Sequence, residues 1–102
     1  MMENKVHTNL DFVNAQEMAE KYPDTFEVPS DEELKSLKKG DFAKVCLNDE
    51  RFWVRILFIE GECYTGTVDN ILVFNKEIAY GDMVTFQLDN VYATIENVTT
   101  VH

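Results

Sequence analysis

The sequence predicts an α+β fold: a small SH3-like β-barrel or strongly bent antiparallel sheet of about five strands, preceded by two short helices. Three observations predict it. Two capped helix signals lie before Gly40, and alternating segments punctuated by Asn, Asp and Gly fill Phe42 to Ile95. Two independently placed hairpin turns then put apolar groups on the same face. With 102 residues, 45% of them hydrophobic, the chain suffices for one domain with its own core and is too short for two. The expectation is a single domain over 1–102, with a helical segment over 1–39 packed on a β-barrel over 40–97.

Met1 to Thr8 has neither period nor cap and reads as a frayed end. Asn14 then caps a helix, with Glu17 three residues on as in a capping box and Ala15, Met18, Ala19 and Tyr22 on one stripe. Pro23 ends it by pushing Tyr22 out of the helical region. So short a helix must dock to persist. After an extended Phe26 to Pro29, Ser30 opens a second helix with Glu33 at the capping-box position. Asp31 and Glu32 favour its positive end, and Lys35, Lys38 and Lys39 its negative end. Leu34 and Leu37 form its buried edge, and Gly40 is the expected left-handed stop.

Phe42 to Leu47 and Arg51 to Glu60 read as strands joined by an Asn48-Asp49 primed turn. That turn pairs Leu47 with Glu50, Val45 with Phe52 and Ala43 with Val54. Phe42, Lys44, Cys46, Arg51, Trp53 and Arg55 then share the opposite face. A three-residue loop, Glu60-Gly61-Glu62, leads into Cys63 to Val68 and pairs Phe58 with Tyr64, Ile56 with Gly66 and Val54 with Val68. The long middle strand, apolar on both faces near Leu57, is expected to bend and serve two sides of a barrel. Asp69-Asn70 makes a turn, Ile71 to Phe74 a short strand, and Ala79 to Asp82 introduces Met83 to Leu88. Asp89-Asn90 turns again, Val91, Ala93 and Ile95 alternate with Tyr92 and Thr94 to finish the barrel, and Asn97 to His102 is expected to be loose. Gly40-Asp41 and Gly81-Asp82 each precede a strand, with no longer repeat behind them.

The net charge is −10, with nine acids against two bases up to Glu33 and ten against seven thereafter. Glu17, Glu20, Asp24, Asp31, Glu32 and Glu33 make an acidic surface that repels nucleic-acid phosphates and steers towards basic protein partners. The same charge keeps a protein soluble. No stretch approaches the roughly 20 apolar residues of a membrane span, and two cysteines without a signal-like start fit a reduced, cytoplasmic protein. His7 and His102 lie in the expected loose ends, away from Cys46 and Cys63. No Gly-rich phosphate loop, His-Glu-x-x-His or Cys-x-x-Cys spacing occurs. Neither an enzyme nor a bound metal or cofactor is expected, and helix-start chemistry accounts for Asp31 to Glu33.

The candidate site is the outer face of the three central strands. Trp53 stands opposite Lys44 and between Arg51 and Arg55, with Thr67 opposite Arg55: a basic and aromatic platform in an acidic chain. Its geometry suits an acidic peptide, a nucleotide or a single strand. The favoured expectation is that the first helix lays Ala15, Met18 and Tyr22 over Trp53 while Glu17 or Glu20 pairs with the arginines. Partial cover with an open rim is the alternative.

From Leu37 to Ile95 the chain resembles a bacterial and phage-associated family, domain of unknown function two-three-one-four. The resemblance is carried by Lys39-Gly40-Asp41, the run Glu50 to Arg55, the run Gly66 to Asn70 and the run Tyr80 to Phe86, with Tyr22 to Phe26 upstream. It implies a β-rich fold with an attached helical segment and no catalytic residues. The function expected is a non-enzymatic acidic module that binds a protein partner. A phage-encoded or immunity-type inhibitor, mimicking nucleic acid to block a basic nuclease or CRISPR effector, is the alternative. A nucleic-acid binder using Trp53 ranks last because of the net charge.

Overall fold

Asn48 and Asp49 both take positive φ, 50° and 64°, as a two-residue primed turn demands. They join β2 (Phe42–Leu47) to β3 (Glu50–Glu60). In this computed structural model, which describes residues 4–96, Leu47 faces Glu50, Val45 faces Phe52 and Ala43 faces Val54. That is the register the turn dictates. The expectations for Asn97 to His102 lie outside the described residues.

β4 (Cys63–Val68) pairs Val54 with Val68 and Ile56 with Gly66, as expected, but the register then shifts. Phe58 faces Thr65, Ile59 faces Tyr64 and Glu60 faces Cys63. The loop is therefore Gly61-Glu62, two residues and not three, with Gly61 at φ 60°. Leu57 is the additional residue of a β-bulge. The bulge inverts the alternation: Phe58, expected inward, is 46% exposed, whereas Ile59 packs on the core.

β5 (Met83–Gln87) runs antiparallel to β4 and sets Tyr64 opposite Phe86, their rings 5.6 Å apart. Such a pair contributes about 0.5–1.5 kcal/mol beyond its burial. Leu88 leaves the strand for a 3-10 turn, Leu88–Asn90, in which Gln87 N–H donates to Asn90 Oδ1 (2.9 Å). The turn continues to Val91, whose N–H donates to the Leu88 carbonyl (3.1 Å). β6 (Ala93–Ile95) consequently starts later than expected, with Ala93 opposite Lys44 and Ile95 opposite Phe42 on the outer face.

The segment Lys5 to His7 is held, in contrast to the expected fray, whose first three residues lie outside the described ones. β1 (Val6–His7) pairs in parallel with β5, Met83 N–H donates to the Lys5 carbonyl (2.8 Å), and Lys5 N–H donates to Asp82 Oδ1 (3.0 Å). The result is a six-stranded mixed sheet in the order β1-β5-β4-β3-β2-β6. Among the described residues β1 and β6 are the two edges and do not pair with each other, so the sheet is not closed, within a small, sheet-dominated α+β fold.

Both N-caps form, without the return bond from cap N–H to glutamate that completes a capping box among the described residues. Asn14 Oδ1 accepts from Glu17 N–H (3.0 Å) at the head of α1 (Ala15–Lys21). Ser30 Oγ accepts from Glu33 N–H (3.2 Å) at the head of α2 (Asp31–Lys35). A side-chain cap of this kind stabilises a helix by about 1 kcal/mol. α2 ends at Ser36, earlier than expected, so Gly40 (φ 95°) belongs to the turn into β2 and not to the helix stop.

The inner face carries the main core: Val45, Phe52, Val54, Ile56, Tyr64, Val68, Val84 and Phe86. Leu34 and Leu37 from the α2 segment, Phe12 and Ile78 cover it. Phe52 is 1% exposed with the Phe12 ring 6.1 Å away, and burying a side chain of this size contributes roughly 1.5–3 kcal/mol.

Candidate functional site

Cross-strand partners build one row across the outer face of all six strands: Ile95, Phe42, Arg55, Thr67, Met83 and Val6. The next row holds Ala93, Lys44 and Trp53. Lys44 Nζ lies 5.6 Å from the centroid of the Trp53 ring, a cation–π geometry worth about 0.5–1 kcal/mol at an exposed site. Trp53 is half-buried and is not packed against either apolar cluster. Its backbone is fixed where β4 has ended: Trp53 N–H donates to Asn70 Oδ1 (2.6 Å), and Asp69 N–H donates to the Trp53 carbonyl (2.9 Å). Arg55 is exposed and makes no ion pair among the described residues, with Thr67 opposite it.

Arg51 departs from the expected platform. Its guanidinium lies 4.7 Å from the Tyr92 ring centroid and 5.5 Å from that of Phe26. This lays the exposed Arg51 over the rim of a second apolar cluster of Ala15, Cys46 and Tyr92, flanked by Val13, Phe26 and Val28. The first helix therefore does not lie over Trp53. It covers the Cys46 end of the outer face, because buried Ala15 is its contact there, and Tyr22 is 53% exposed. Neither Glu17 nor Glu20 pairs with an arginine among the described residues. The outer face is thus partly covered, with Trp53, Lys44, Arg55 and Thr67 beyond the cover.

Cys46 and Cys63 are both free thiols, the first buried and the second exposed. Burial pushes the Cys46 thiol up, away from the thiolate that nucleophilic chemistry needs. Glu17, Glu20, Asp24, Asp31, Glu32 and Glu33 are all exposed and unpaired by bases among the described residues. Among those residues no group of three or more His, Cys, Asp or Glu side chains is placed to hold a metal ion, and no helix is long and apolar enough to cross a membrane.

Beside Trp53 lies a feature the sequence did not disclose. Ile71 to Phe74 does not form the expected strand, because its N–H groups go to a carboxylate and not to a neighbouring strand. Glu50 Oε2 accepts from Val73 N–H (2.6 Å), and Glu50 Oε1 from Phe74 N–H and Asn75 N–H (both 3.0 Å). Asn75, fully buried, donates to the Leu47 carbonyl (2.9 Å) and accepts from Asn48 Nδ2 (2.8 Å). Burial raises the Glu50 carboxyl, but the donors from Val73, Asn75 and Phe74 outweigh it and hold its pKa below the ordinary value. An apolar run followed by a buried Asn has no period that signals this, so no pattern in the sequence could have found it.

No family model matches the chain, and comparison with curated proteins and with solved structures returns no match.

Proposed function

We propose that this chain is a non-enzymatic interaction module of the SH3-like small-barrel kind, and that it docks a protein partner on the outer face of its sheet. The observation that carries the reading is Trp53, half-buried, outside both apolar clusters and beyond the cover of α1. Lys44 and Arg55 flank it, Thr67 stands opposite Arg55, and Phe42, Met83 and Ile95 extend the apolar ground across neighbouring strands. Tryptophan and arginine dominate interface energetics, and an aromatic held by a rigid strand loses little freedom on binding. The acidic N-terminal half supplies long-range steering towards a partner with a basic surface elsewhere. In this reading the protein acts in the cytoplasm.

Trp53→Ala tests the reading. Partner affinity should fall by at least about tenfold while the thermal midpoint stays close to wild type, since Trp53 lies outside the core clusters. A variant that unfolds would instead make Trp53 structural and remove the site.

A second reading is an acidic inhibitor, phage-encoded or of the immunity type, that mimics nucleic acid and occupies the basic cleft of a nuclease or CRISPR effector. The exposed acids Asp31, Glu32 and Glu33 on the first turn of α2, with Glu17, Glu20 and Asp24, none paired with a base among the described residues, favour it.

A further inference from the structure

The stretch from Asp69 to Asp82 holds large apolar side chains outward on a fixed backbone. We propose that Ile71, Val73 and Phe74 form a docking knob for a basic amphipathic segment of a protein partner. This is a second contact surface that rests on the interaction-module reading above.

Ile71 is 85% exposed, Phe74 70% and Val73 64%, with Tyr80 nearby in the chain at 61%. Burying one such side chain yields roughly 1.5–3 kcal/mol, so their collective exposure runs against the stability of the isolated chain. The exposure is not slackness. Glu50 grips three successive N–H groups, the Asn75 amide is buried against the first hairpin, and Ile78 is 2% exposed in the core. The Tyr80 hydroxyl donates to Asp69 Oδ1 (3.3 Å) and ties the two ends of the loop together. The ordering cost of the knob is therefore met before a partner arrives. Beside it runs a concavity of about 390 Å³ lined by Ile71, Leu72, Lys76, Ile78, Ala79 and Tyr80.

Charge selects the occupant. Exposed Asp69 and Glu77 lie in the loop, and Asp49 lies in the turn whose Asn48 bonds to Asn75, against one exposed base, Lys76. The whole chain carries −10. Anionic lipid and nucleic acid are repelled by this rim, and a second copy would set acids against acids. An amphipathic helix with leucines on one face and lysines or arginines beside them matches both features. Its apolar face meets Ile71, Val73 and Phe74, and its cations meet the rim.

The test titrates isotope-labelled protein with an amphipathic leucine–lysine helical peptide, with oligolysine as the charge-only control. The peptide should shift backbone amide signals between Asp69 and Tyr80. The double variant Ile71→Ser, Phe74→Ser, which removes only exposed groups and should keep a dispersed spectrum, should bind it at least about tenfold more weakly. Oligolysine binding should be the same for both proteins. Unchanged peptide affinity in the double variant overturns the proposal. So does binding of phosphatidylglycerol or zwitterionic vesicles that depends on Ile71 and Phe74, or self-association lost in the same variant. Shifts confined to Lys44, Trp53 and Arg55, and abolished by Trp53→Ala alone, would sink the knob and leave the module standing. Absence of a specific shift between Asp69 and Tyr80 would sink the knob, while the module reading stands or falls on the Trp53→Ala test.

Discussion

The carboxylate of Glu50 replaces a strand: three backbone N–H groups that would otherwise need ladder partners converge on its two oxygens. Its pKa lies below the ordinary 4.5 because those donors outweigh burial. Asp82 behaves alike. Burial raises it, but His7 Nε2 (2.9 Å) and the N–H groups of Ala79 and Lys5 hold it below its ordinary 3.8. A carboxylate with a depressed folded pKa contributes stability that is full above its unfolded pKa and is lost as pH falls through the folded value. Both groups therefore place acid destabilisation below about pH 4.5. Glu50→Gln should be less stable than wild type near neutrality and lose less on acidification, as read from denaturant midpoints across that range. If the two proteins lose stability in parallel, Glu50 is not the titrating pin.

At the scale of elements, the bulge in β3 decides which residues face in. Gly66, opposite Ile56, permits it. A Cβ there would meet the Arg55 carbonyl oxygen and, at 2.6 Å, Val54 Cγ1. The first obstacle is backbone within the central hairpin, so it cannot swing aside as a surface side chain would. Gly66→Ala is expected to cost about 1–3 kcal/mol by overpacking, measured by urea denaturation. A loss near zero would mean that the bulge relaxes freely. The bulge also exposes Phe58 and draws Ile59 onto the core. Two-residue alternation alone predicted the reverse, since one inserted residue flips every side chain after it.

Across the whole molecule, a single device closes both halves of the sheet. Gly40 and Gly81 take φ 95° and 87°, and the following aspartates are 3% and 2% exposed. Gly40 N–H donates to the Ile56 carbonyl (2.8 Å), and Ile56 N–H to the Asp41 carbonyl (2.8 Å). Gly81 and Asp82 make the same exchange with Val68, at 2.9 Å and 2.8 Å. Each aspartate side chain also accepts the N–H three residues back, from Lys38 (3.1 Å) and from Ala79 (2.9 Å). The Gly-Asp pairs, ordinary turn chemistry in the sequence, are equivalent locks of β2 onto β3 and of β5 onto β4. Net charge acts at this scale too. Under the inhibitor reading, binding to a basic nuclease should weaken steeply with salt, and Asp31→Lys, Glu32→Lys, Glu33→Lys should weaken it further. Affinity indifferent to salt in a binding titration would remove mimicry.

Short-range chemistry, written in the sequence, settles the local features. The Asn14 and Ser30 caps, the Asn48-Asp49 turn, the β2–β3 register and the inward face of Val45, Phe52, Val54 and Val84 all follow from neighbours within a few residues. It also placed Lys44, Trp53, Arg55 and Thr67 on one outer face. Tertiary structure decided the rest, because each outcome depends on a partner distant in the chain. Glu50 captured the N–H groups of Val73 to Asn75 and abolished a strand. Asp82 captured Lys5 and His7 and added one. Tyr92 and Phe26 drew Arg51 out of the platform, and α1 settled over Cys46, leaving half-buried Trp53 outside its cover. A periodic pattern records which side of a strand is apolar. It does not record which distant carboxylate or ring will claim a polar group, and those claims shaped the candidate surface.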